Sequence, residues 1–81
     1  MTAECATEDV IRMLEEEQLL ELPAGADGET DLFEAGLDSM AVMQLIVVIE
    51  ERWGAVLGAA DVGRDTIGTP ARMAATINAR R

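Results

Sequence analysis

The 81-residue chain has room for one small domain, and with 49% apolar residues it can build a packed core. Sixteen acids oppose six bases, all of them arginines, for a formal charge of −10; such a field repels phosphate backbones, disfavours nucleic-acid binding and favours basic partner surfaces. The absence of histidine and lysine removes the usual base for a serine nucleophile and all Schiff-base chemistry, and a single cysteine excludes an intramolecular disulfide and the ordinary zinc sites.

The charge is unevenly spread. Residues 1–51 hold fourteen acids and one base, Arg12, whereas residues 52–81 hold two acids and five arginines. Aromatic residues are limited to Phe33 and Trp53, so the core must come from Leu, Ile, Val, Met and Ala, which suits helices packed on helices. No secretory apolar segment opens the chain and no apolar run reaches membrane-spanning length, which leads us to expect a soluble, cytoplasmic protein with no membrane insertion.

Cys5 lies near an N-terminus expected to fray, and no role is assigned to it. Thr7, followed by Glu8 and Asp9, reads as an N-cap with acids in the first turn. Val10, Ile11, Leu14 and later Leu22 form a helical stripe, with Glu15, Glu16 and Glu17 facing water. Pro23 forbids continuation, which places the first helix at about residues 7–20.

Residues 23–30, "PAGADGET", are a loop by composition, followed by "DLFEAGL" with Leu32, Phe33 and Leu37 as apolar anchors and Phe33 as the pin of the connection. Gly36 supplies a bend. Asp27, Glu29, Asp31 and Asp38 are spaced like ligands of a calcium loop. Leu32 stands where such a loop needs glycine, however, and Asp38 where it needs a bidentate Glu, so no metal site is assigned.

The second helix is expected from about Ser39 to Trp53, ending before Gly54. On a helical wheel Val42, Ile46, Ile49 and Trp53 share a core face flanked by Leu45. Met40, Gln44, Val47 and Glu51 lie opposite, with Val48 beside them, a partly apolar stripe that the core does not require. Four glycines break up residues 54–68, leaving a short helical turn near Ala59–Val62. Thr69 as N-cap and Pro70 at the first helical position open a last helix with Met73, Ala74 and Ile77 buried, and Arg80 and Arg81 complement its carbonyl end. The fold class is all-α: a small four-helix bundle of three main helices plus one short helix, with a long first loop and no strand.

Ser39 opens the second helix in "GLDSM". A serine at a helix start can be simply a cap. An apolar stripe beginning one residue later points further, to docking, and a helix N-terminus favours a phosphate. "DLFEAGLDSMAVMQLIVVIEERWG" (31–54), together with the first helix and "TIGTPARMAATI", resembles the acyl and peptidyl carrier proteins. That resemblance covers nearly the whole chain. It implies a four-helix bundle whose Asp-Ser-Met serine, here Ser39, receives 4′-phosphopantetheine from coenzyme A through a phosphopantetheinyl transferase. The arm's thiol then carries an acyl or aminoacyl thioester to other enzymes.

The same resemblance makes Asp38 part of transferase recognition and maps the partner-facing surface onto Met40, Gln44, Val47, Val48 and Glu51. The chain itself is then not an enzyme; its other partners are an adenylating ligase or acyltransferase and a downstream synthase or transferase. Fatty-acid carriers place acids along the exposed face of this helix, whereas here Ala41, Gln44, Val47 and Val48 replace most of them. "DSM" followed by "VMQL" is more similar to D-alanyl and stand-alone peptidyl carriers, which implies an aminoacyl cargo in an amino-acid-activating or natural-product pathway. We expect a single carrier domain over residues 1–81, free-standing and monomeric. The alternative is an unmodified helical module that binds a partner through the same stripe.

Overall fold

The computed structural model describes residues 4–81. Four helices follow one another: α1, Thr7–Glu16; α2, Ser39–Trp53; α3, the single turn Arg64–Ile67; and α4, Pro70–Arg80; a 3₁₀ turn, Ala59–Asp61, precedes α3. Among the described residues there is no strand, as expected of an all-α chain. α4 packs on both α1 and α3.

α1 starts at Thr7 as expected but is shorter than its apolar stripe predicted, and its cap is one residue earlier. Ala6, not Thr7, occupies the cap position, and the Asp9 carboxylate reaches back to accept the Ala6 N–H at 2.9 Å. The helix ends well before Pro23 because Gln18 turns left-handed, at φ 55°. Its N–H then bonds the Glu15 carbonyl at 3.2 Å and the Leu19 N–H bonds the Leu14 carbonyl at 3.2 Å, the double closure of a Schellman end. A glycine would have signalled this stop; glutamine does not. Val10, Met13 and Leu14 face the core, with Ile11 half-buried.

Contrary to expectation, Cys5, just ahead of α1, is tied down. Cys5 is buried, its N–H donates to Asn78 Oδ1 at 2.9 Å, and Asn78 Nδ2 donates to the Cys5 carbonyl at 3.0 Å. This reciprocal pair clamps Cys5 to α4. Burial, reinforced by the charge of Asp9, pushes the Cys5 thiol from its ordinary 9.0 up to about 11.

The long connection is held chiefly by backbone hydrogen bonds. The Leu32 N–H donates to the Gly68 carbonyl at 2.8 Å and the Ala71 N–H to the Gly28 carbonyl at 3.1 Å, docking the loop on the α3–α4 junction. Leu32 and Leu37 are its buried pins. Phe33, expected in that role, is only half-buried, with the Arg64 guanidinium 5.3 Å above its ring.

α2 turns its core face differently from the wheel. Ala41, Leu45 and Ile49 are buried, while Val42, Ile46 and Trp53 are half-buried flanks. Nearly every residue from Met40 to Ile49 is apolar, so periodicity alone orients the helix weakly, and the neighbouring elements decide. Gly54 ends it at φ 71°, where a side chain would be strained. Three of the five arginines of the C-terminal part tie back onto acids. Arg52 bridges Glu16 at 2.9 Å and Glu17 at 3.0 Å, Arg64 meets Asp31 at 3.4 Å, and Arg80 meets Asp61 at 2.7 Å. Arg80 thus makes a specific ion pair where a general complement to the helix end was expected.

Candidate functional site at the start of α2

The first turn of α2 is arranged by the residue before it. Asp38 is extended, its Oδ1 accepts the Ala41 N–H at 2.9 Å, and its carbonyl accepts the Val42 N–H at 2.8 Å. Capping is therefore done by Asp38 and not by Ser39. Ser39 is the first helical residue, exposed, and its hydroxyl has no hydrogen-bond partner among the described residues. It is also the only serine in the chain. The N–H groups of Ser39 and Met40 likewise have no acceptor among the described residues.

The contrast with α4 is informative. There Pro70 has no N–H, Ala71 bonds the Gly28 carbonyl, and Arg72 bonds the Thr69 hydroxyl at 3.1 Å. The positive end of α4 is thus closed by the protein itself, whereas that of α2 offers two open amides beside a free hydroxyl. Such an end suits a phosphate group.

Met40, Gln44, Val47 and Glu51 project to solvent as the wheel placed them; Met40 is 71% and Val47 55% exposed. Val48 sits at the margin, half-buried against the core. Met43, which the wheel assigned to neither face, is 70% exposed and extends the apolar surface on the Ser39 side. Its position four residues after Ser39 was the available signal.

The calcium-like acids are used otherwise. Asp27 Oδ1 accepts the Glu29 N–H at 2.9 Å, and Asp31 accepts the Glu34 N–H at 3.1 Å while pairing with Arg64. They form turns, and among the described residues no three His, Cys, Asp or Glu side chains gather in a metal-holding group. No described helix is long and apolar enough to cross a membrane.

The family model described as phosphopantetheine attachment site matches residues 9–77, the greater part of the chain. The chain belongs to this phosphopantetheine-binding carrier family. No curated protein matches it. The group that such a carrier bears is 4′-phosphopantetheine, held covalently. A free hydroxyl, two open amides and a helix surface without charge from Ser39 to Ile49 fit that group. The carrier fold holds those features on a helix whose core side, Leu45 and Ile49, is fully buried.

Proposed function

We propose that this chain is a carrier module and not itself an enzyme, with Ser39 as the attachment residue. One observation carries the reading: the sole serine stands exposed and unbonded at the first position of α2, its capping duty taken over by Asp38. Ser39 Oγ forms the new bond to phosphorus as the pyrophosphate of coenzyme A is cleaved and 3′,5′-adenosine bisphosphate leaves. The hydroxyl proton passes to a base of the transferase, because this chain has no histidine to accept it. The arm's thiol then holds an acyl or aminoacyl group as a thioester.

Asp38, Met40, Gln44, Val47, Val48 and Glu51 form the surface read by the transferase, by an adenylating ligase or acyltransferase, and by a downstream synthase. The lack of any charged residue between Ser39 and Ile49 supports apolar docking and, with it, an aminoacyl cargo in an amino-acid-activating or natural-product pathway. In this reading the carrier is one domain over residues 1–81, working as a cytoplasmic monomer.

The test is incubation with coenzyme A, magnesium and a broad-specificity transferase, followed by intact mass. The protein should gain one phosphopantetheinyl group and Ser39→Ala should gain none. An equal gain in the variant would move the site elsewhere. Protein from its own cell that is wholly unmodified would favour an interaction module using the same face.

A further inference from the structure

The sulfur-bearing side chains among the described residues fall into two groups. Cys5, Met13 and Met73 are buried, the two methionines completely. Met40 and Met43 are 71% and 70% exposed, and both stand beside Ser39. Met40 follows it directly. Met43 comes one helical turn later, about 6 Å along the axis, and at a spacing of three the two methionines are neighbours on the helix surface.

This distribution directs oxidation. A thioether has no proton to lose and its lone pair is always present, so access decides which methionine reacts. Hydrogen peroxide is neutral, and the chain's charge of −10 does not keep it away. The buried Cys5 thiol stays protonated and does not compete.

We propose that Met40 and Met43 form a reversible oxidation site that controls access to Ser39. The proposal rests on Ser39 being the attachment residue and on α2 being the face that its transferase covers. A peroxide gives one oxygen atom to each sulfur: the lone pair forms the S–O bond, the O–O bond breaks and water leaves, so the thioether is oxidised and the peroxide reduced. The sulfoxide is polar, and it arises on a strip with no charged residue from Ser39 to Ile49. A partner that covers it must strip water from a strong acceptor and has no donor to offer in return. The fold is untouched, because Ala41, Leu45 and Ile49 hold α2 from its other side. Sulfoxide reductases restore the thioether with two electrons and two protons from a dithiol, releasing the oxygen as water.

The test uses the full chain without its arm, whose own thiol would otherwise be oxidised. Protein is treated with hydrogen peroxide, folded or in denaturant, and oxidised residues are mapped by peptide fragmentation. Folded protein should gain oxygen at Met40 and Met43 and not at Met13 or Met73; in denaturant all four should react. Folded oxidised protein should keep its helical circular dichroism, gain the phosphopantetheinyl mass at least several-fold more slowly than its unoxidised sample, and recover that rate after treatment with sulfoxide reductases. A Met40→Leu, Met43→Leu double variant, compared with its own unoxidised sample, should lose no rate on oxidation. Equal reaction at Met13 and Met73 in folded protein, an oxidised sample loaded at the unoxidised rate, or an equal loss in the double variant would overturn the proposal. If the unoxidised protein gains no mass at Ser39, attachment itself falls and the control of loading falls with it, whereas the map of oxidised methionines is read without any transferase.

Discussion

Asp38 and Ser39 divide the start of α2 between them: the carboxylate of Asp38 accepts the Ala41 N–H at 2.9 Å, and the hydroxyl of Ser39 is left without a partner among the described residues. One residue supports the helix so that the next is available for chemistry. Substitution should separate the two roles. Asp38→Ala should cost about 1 kcal/mol through the lost cap, lowering the melting temperature by ~4–8 °C for a domain of this size. Ser39→Ala should change stability by no more than about 0.5 kcal/mol while abolishing phosphopantetheinylation. Paired thermal melts and mass measurements check this.

Leu45 and Val47 are two residues apart on α2 and face opposite environments, one fully buried and the other 55% exposed. Leu45→Ala should destabilise by ~2–5 kcal/mol, through lost burial and the cavity left behind. Val47→Asp should keep the helical circular dichroism and melt within about 0.5 kcal/mol of the parent, but it should impair loading by the cognate ligase. A loss of helical signal in Val47→Asp would place that side chain in the core.

Cys5 should be unreactive in the folded protein. Burial holds the thiol protonated to about 11, and only the thiolate attacks alkylating reagents. At pH 8 native protein should react slowly and protein in denaturant rapidly. Because the folded value is raised, the associated stability is fully present below the ordinary 9.0 and is lost as pH rises through about 11. The arm's thiol is therefore the one that a thiol reagent should find in native loaded protein.

The ion pair of Asp61 and Arg80 should give acid sensitivity. Hydrogen bonds from Arg80, then from the Gly58 N–H, hold the Asp61 carboxyl below its ordinary value. A depressed carboxyl stabilises the fold above the unfolded value, and that contribution is lost as pH falls through the folded one. Asp61→Asn should therefore melt below the parent at pH 7, and the gap should narrow under acid conditions below pH 3.8. A gap independent of pH would assign the effect to packing.

What was legible in the sequence follows how local each determinant is. Thr69, Pro70 and the Met73–Ala74–Ile77 stripe define α4 without help from other elements, and Gly54 ends α2 by its own backbone freedom. The stop of α1 at Gln18 depends on a left-handed glutamine that no residue preference announces. The Cys5–Asn78 clamp joins residues 73 positions apart, which no local pattern encodes. α2 was legible as a helix and not as an orientation, because an almost wholly apolar run has no clear face until Leu45 and Ile49 find their neighbours. At the site, Ser39 was readable from "GLDSM", whereas the transfer of capping to Asp38 required coordinates.

The attachment claim is tested most directly by fragmenting the loaded protein. Trypsin should release residues 13–52 between Arg12 and Arg52, a peptide whose side-chain hydroxyls are Thr30 and Ser39 alone. We predict that the pantetheine fragment is ejected from this peptide and that the residual mass change maps to Ser39. A phosphopantetheinyl group mapped to Thr30, or to any other tryptic peptide, would contradict it.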